Sequence, residues 1–192
     1  FKCDWSSDVC SSDLNGEVVS RLGGLVKDNT GYDLAGLLCG SEGTLGVVTA
    51  ARLRLVPESS ERLAVAVACS SWAEAVALAS LARREVQGLD GLEAIDGAGA
   101  LLAEEVLGVR RVLADAPVTL FVVWAGQGDA PDSLVRLVGD RRHVVGDPRA
   151  LLESRERQTE AISRVGIPHK FDVTLALSVL ADFIEVVSTR VP

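Results

Sequence analysis

Three glycines, at 40, 43 and 46, stand just ahead of a β-branched run, Val47-Val48-Thr49. Glycine accepts backbone conformations that other residues resist, and the missing Cβ lets a bound group come close to amide donors. Such a turn can cradle a cofactor, or it can be an ordinary tight turn or bulge; the spacing alone does not decide. A second candidate for chemistry is Arg155. Asp147-Pro148 offers an N-cap acceptor followed by proline at the first helical position, and Gly166 a stop, which predicts one helix over 148–165. At about 100° per residue, Leu151, Leu152, Arg155, Thr159 and Ile162 share one stripe. A guanidinium within an apolar stripe must snorkel, meet an internal carboxylate or receive an anionic ligand. Arg157 and Arg164 fall on the opposite side with Glu153 and Glu160, where exposed pairs contribute only about 0.2–0.5 kcal/mol each.

The elements that must position these residues follow from periodicity. Phe171, Val173, Leu175 and Leu177 alternate as a strand would, which sends Lys170, Asp172 and Thr174 to the other face and frees Lys170 from the core. Lys170 and Asp172 also suit a plain exposed ion pair. Ser178 is the expected cap of a last helix, Val179 to about Thr189. Upstream, Asn15-Gly16 predicts a hairpin within 15–26, Tyr32 to Cys39 a short helical turn, and Gly46 to Val56 a strand. Pro57-Glu-Ser-Ser60 separates that portion from an alternation of strands at 63–69, 89–95, 119–124 and 143–145 with helices at 72–86, 97–107 and 132–138. The pattern predicts an α+β fold with helices on one face of a sheet. No G-x-G-x-x-G follows a strand, which disfavours a Rossmann sheet.

With 192 residues, 48% hydrophobic and 24% charged, the chain can bury a core of one domain, or one and a part. A net charge of −8 disfavours nucleic acid and anionic membrane as general partners, so a small anionic substrate would need a local cationic pocket. No apolar run reaches the roughly 18 residues that span a bilayer, and no signal-peptide pattern opens the chain; the expectation is a soluble, cytoplasmic protein. Cysteines 3, 10, 39 and 69 have neither zinc-ligand spacing nor the density of a disulfide scaffold, and Cys39 and Cys69 read as small buried apolar residues. His143 reads as a surface residue. His169, beside Lys170, has the titration range of a base but no further sign of a role.

Residues 1–14 repeat Ser-Ser-Asp and show neither the strand nor the helix period in their apolar positions. They resemble the translation of a sequencing-library adapter, and on that ground they are set apart from the natural fold. A short metal or redox arm is the rival reading, but a C-x6-C pair without a nearby histidine makes a poor zinc site.

Two adjacent motifs, Lys27-Asp-Asn-Thr-Gly-Tyr-Asp-Leu34 and Gly40-Ser-Glu-Gly-Thr-Leu-Gly46, resemble in order and spacing the end of the FAD-binding domain in flavoprotein D-2-hydroxy acid dehydrogenases. That family takes in D-lactate dehydrogenase, the glycolate oxidase flavin subunit and D-2-hydroxyglutarate dehydrogenase. The resemblance is close over residues 15–57 and looser beyond. It implies the C-terminal part of an FAD-binding domain at 15–57, followed over 58–192 by an incomplete ferredoxin-like α+β cap domain with an antiparallel sheet.

The resemblance also implies roles. Asn29, Glu42, Gly43, Gly46 and Val47 match positions where the family's loop lies against FAD. Arg155, Thr159 and Lys170 match an arginine, threonine and lysine that hold the substrate's carboxylates. Arginine can grip a carboxylate through two parallel bonds, lysine adds a compact charge and threonine a hydroxyl donor. The implied reaction is oxidation of D-lactate, D-2-hydroxyglutarate or glycolate to the oxo acid, with electron transfer onward at a membrane periphery. No catalytic residue or metal ligand is expected within this stretch: the family's histidine-bearing segment and the first half of its FAD domain are expected outside it. On this reading the chain is a fragment, inactive by itself, of a protein expected to use FAD, a divalent metal and a homodimeric assembly. The alternative is a non-catalytic α/β module that binds small anions.

Overall fold

Two apolar runs, Leu63–Cys69 and Leu120–Trp124, are continuous rather than alternating, the pattern of strands covered on both faces. The computed structural model describes residues 4–13, 18–20, 30–54 and 57–190. It divides into two compact units, 1–58 and 59–192.

In the first unit, β1 (Asp4–Asp13) lies between β2 (Val18–Ser20) and β3 (Gly46–Arg54), antiparallel to both. The short helix α1 spans Leu34–Leu38. Residues 4–13, set apart on sequence grounds, therefore stand in a strand, with Cys10 opposite both Ser20 and Ala50. A ladder is built from backbone groups, which an apolar period does not register. The Asn15-Gly16 turn lies outside the described residues. Cys39, expected to be buried, is exposed, because α1 ends at Leu38 and Cys39 falls in the turn that follows.

The second unit holds β4 (Glu61–Cys69), α2 (Trp72–Glu85), β5 (Leu89–Asp96), α3 (Gly97–Leu107), β6 (Val118–Gly126), α4 (Asp132–Val138) and β7 (His143–Gly146). Its sheet runs β5-β6-β4-β7 with every pairing antiparallel. This is the ferredoxin-like order, with α3 inserted between the two strands of a hairpin. After β7 come α5 (Pro148–Glu156), α6 (Gln158–Val165) and α7 (Leu177–Arg190).

Helices cover both faces of this sheet, which corrects the one-face expectation. Val65, Val67 and Cys69 of β4, with Val118, Leu120 and Val122 of β6, pack against α2 and α4. Ala64, Ala66, Phe121 and Val123 face the other way, against Leu151 and Leu152 of α5 and Ala100 of α3. The small alanines on this second face leave room for the leucines of α5 to approach the sheet.

Local signals set the helix ends. Ser71 caps α2 by accepting the Glu74 amide at 3.2 Å. Asp96 caps α3 through the Gly99 amide at 2.5 Å, and Asp147 caps α5 through the amides of Arg149 and Ala150.

Three expectations fail in the C-terminal third. The single helix over 148–165 is broken at Arg157, whose ψ of 0° ends α5 and starts α6. Past the break, α6 packs against α3, with Ala161 and Ala103 both fully buried. The shared stripe is lost as a result: Leu151 and Leu152 are buried, whereas Thr159 and Ile162 are exposed. Residues 171–177 form no strand either, and Phe171 and Val173 are exposed. Alternation creates an apolar face, but a strand also needs a neighbour's amides and carbonyls, and none is offered to this segment among the described residues. Ser178 sits inside α7 rather than at its cap.

Candidate functional site

The glycine turn sits between α1 and β3. Gly40 and Gly43 both take a φ of 80°, and Glu42 a φ of 49°, the one non-glycine residue in the left-handed region among those described. An L-residue there carries a cost of about 1–2 kcal/mol. The Ser41 amide bonds the Leu38 carbonyl at 3.2 Å, and the Thr44 amide and hydroxyl bond the Ser41 carbonyl at 2.9 and 2.6 Å. A Cβ added at Gly40 or Gly43 would meet nothing within 4 Å, so the chain itself does not require the missing side chains for space. The turn thus presents open backbone surface. Gly46 is buried at the start of β3, opposite Asp13, and Val47 is exposed. Asn29 lies outside the described residues.

The anion-binding candidates occupy the second unit. Arg155, in the last turn of α5, reaches back to the sheet and forms an ion pair through Nε with Glu93 Oε2 of β5. Strand alternation places Glu93 beside Ile95 and away from Leu92 and Ala94, that is, on the α5 side. The Arg155 side chain remains 48% exposed, and no second partner engages its Nη1/Nη2 edge among the described residues. Thr159 stands in the first turn of α6 with its side chain exposed, and Lys170 is exposed in the extended segment between α6 and α7. No hydrogen bond or ion pair joins Arg155, Thr159 and Lys170 to one another among the described residues.

The neighbouring arginines behave as the sequence predicts. Arg157 pairs with Glu160 at 3.0 Å and lies 3.9 Å from Glu153, and Arg164 pairs with Glu160 at 2.9 Å. The hydrogen bond from Arg157, then that from Arg164, holds the Glu160 carboxyl below its ordinary range. His143 is exposed on β7, its Nδ1 2.8 Å from the Arg141 carbonyl, and His169 is exposed beside Lys170.

Sequence reasoning missed Glu93. The available signal was a lone carboxylate on the sheet-facing side of a strand, where a charge needs a partner. An apolar cavity of about 340 Å³ lies on the α2 side, between Trp72, Ala79, Leu92, Leu120, Leu177 and Leu180. Glu93 is also among its lining residues, whereas none of Arg155, Thr159 and Lys170 is. No three histidine, cysteine or acidic side chains among the described residues are grouped to hold a metal ion, and nothing else there supports the divalent metal. No helix among them is long and apolar enough to cross a membrane.

No family model matches the chain. Mitochondrial D-2-hydroxyglutarate dehydrogenase from Bos taurus is 32% identical over 188 residues, covering 88% of this chain and 34% of that protein. The Danio rerio enzyme of the same name is 30% identical over 186 residues, covering 89% and 35%. The glycolate oxidase subunit GlcD of Bacillus subtilis is 54% identical over a shorter stretch of 44 residues, 23% of this chain and 9% of that one. The chain spans about a third of the length of the D-2-hydroxyglutarate dehydrogenases it matches. Those relatives are mitochondrial, which overturns the cytoplasmic expectation. Along nearly all of its own length, the chain is therefore similar to D-2-hydroxyglutarate dehydrogenases, and over a shorter stretch to a glycolate oxidase subunit.

Proposed function

We propose that this chain contributes the substrate's carboxylate grip, and one wall of the flavin site, to the oxidation of a D-2-hydroxy acid to its 2-oxo acid. The observation that supports it is the free edge of Arg155. Its Nε is taken by Glu93, while Nη1 and Nη2 stay open at a half-exposed position, the two parallel donors that a carboxylate accepts. Thr159 supplies a hydroxyl donor just past the helix break, and Lys170 a mobile charge on a flexible stem. D-lactate, D-2-hydroxyglutarate and glycolate all carry the carboxylate that this grip needs.

The first unit fits a flavin in one respect. Gly40 and Gly43 expose backbone that an added Cβ would cover, and Glu42 keeps a left-handed conformation that costs the fold energy. Glu42, Gly43, Gly46 and Val47 are the residues of this turn that would lie against it, with Asn29 ahead of them in sequence. FAD, when bound, supplies the hydride acceptor. The protein's share is to fix the acid by its carboxylate so that its C–H bond is oriented.

Titration of the chain with D-2-hydroxyglutarate and with D-lactate, with and without FAD, tests the reading. Saturable binding that Arg155→Ala abolishes is expected. Binding that survives the substitution contradicts the grip, and binding indifferent to FAD at every concentration favours an anion-binding module without flavin chemistry.

A further inference from the structure

We infer that Glu93 is the positioning residue of the carboxylate grip, fixing Arg155 by Nε so that its Nη1/Nη2 edge is presented to the substrate. The inference rests on the reading of Arg155 given above. An arginine on the last turn of a helix, two residues before a break, has a long side chain and few neighbours to confine it. Left free, it would spread over many rotamers, and each ligand bound would have to order it afresh.

Glu93 removes that freedom from a rigid base. It stands in β5 opposite Phe121 of β6, one of the most deeply buried side chains of the sheet. Its Oε2 is enclosed although the side chain as a whole stays 37% exposed, and the cation that meets that oxygen is the Arg155 guanidinium, through Nε. A carboxylate oxygen with one cation and no alternative partner holds that cation in place. The two ends come from different layers, the sheet edge and the helix over it. Because Leu151 and Leu152 seat α5 on the same face, the distance between those layers is set by core packing rather than by surface chance. The guanidinium then offers a carboxylate a fork that is already oriented, and Glu93 itself never touches the substrate.

Glu93→Gln keeps the size of the side chain and removes its charge. Its dissociation constants for D-2-hydroxyglutarate and D-lactate are expected to rise about tenfold, the loss typical when a charged partner is removed. The melting temperature should stay close to that of the unsubstituted chain. Nitrogen-15 NMR of the Arg155 Nε–H gives a readout that a merely structural role would not move: a slowly exchanging signal in the unsubstituted chain, shifted and broadened in Glu93→Gln. Unchanged affinity in Glu93→Gln, alongside binding lost in Arg155→Ala, overturns the positioning role and leaves the grip standing. Full binding by Arg155→Ala, or no binding by the unsubstituted chain, sinks the grip and the positioning role together. Should Glu93→Gln fail to fold, a rotationally averaged Arg155 signal in the unsubstituted chain overturns the inference without any variant.

Discussion

Arg141 Nε lies 2.9 Å from Glu74 Oε1, tying the turn before β7 to the first turn of α2. The other carboxylate oxygen, Oε2, accepts the Ser70 amide and hydroxyl, both at 2.8 Å. The backbone bond from Ser70, followed by the Arg141 guanidinium, pulls the Glu74 carboxyl from 4.5 down to about 2. A folded-state pKa below the unfolded one gives stability that is present above the unfolded value and lost as pH falls toward the folded one. Glu74→Gln should therefore lower the melting temperature at neutral pH, with the difference shrinking as pH drops from about 4.5 to about 2. Melts followed by circular dichroism across that window check this; a loss independent of pH contradicts it.

Cys39 and Cys69 should differ in reactivity. Burial, reinforced by the nearby Glu74 charge, pushes the Cys69 thiol from 9.0 up to about 11, and its side chain is 1% exposed. Cys39 is exposed. Maleimide at neutral pH is expected to label Cys39 quickly and Cys69 only after unfolding, as peptide mapping would show. Because the folded-state pKa is raised, the contribution of this thiol to stability is full below about 9 and fades as pH climbs toward 11.

Gly88 has a φ of 76°, and a Cβ there would lie 2.6 Å from the Ala125 carbonyl oxygen and 2.8 Å from Trp124 Nε1. That indole donates to the Gln87 carbonyl at 3.0 Å, so the same substitution would crowd the bond that ties the α2–β5 turn to β6. Gly88→Ala should cost at least about 1–2 kcal/mol from the backbone conformation alone. Urea denaturation measures it, and a neutral result would show that the turn can relax.

Gly43 offers a different contrast. A Cβ there meets no neighbour, so Gly43→Ala carries only the left-handed penalty of about 1–2 kcal/mol on the first unit. Under the proposed function its effect on flavin affinity exceeds that figure, since the methyl would occupy the surface the flavin approaches. Flavin fluorescence quenching gives the affinity, and thermal melts give the stability. Equal losses in the two would leave the turn without a ligand role.

Local chemistry made much of the second unit legible. The bounds of α3 and α4 match the sequence reading residue for residue, because each is closed by a glycine of positive φ, Gly108 or Gly139. Asp147-Pro148 marks the start of α5 just as clearly. What escaped was non-local. Helical periodicity says that α3 and α5 have an apolar side but not which face of the sheet receives it, although the unbroken run Leu120–Trp124 carried that information. The break at Arg157 has no proline or glycine to announce it and goes with the docking of α6 on α3. The strand expected at 171–177 had a correct alternation and no partner. For Arg155, the stripe correctly posed the question of a counter-charge, but Glu93 belongs to a distant strand that no spacing within the helix could name.

The placement of β4 has a consequence for how the chain is made. This central strand is the first of its sheet to leave the ribosome, yet Glu61 waits for Gly126 and Ala64 for Gly146 before its ladders can close. Until then Ala64-Val65-Ala66-Val67 is an uncharged, β-prone stretch without neighbours on either edge. Distant pairings of this sort slow folding, and the waiting strand is the segment through which nascent copies would associate wrongly, or a chaperone would first take hold.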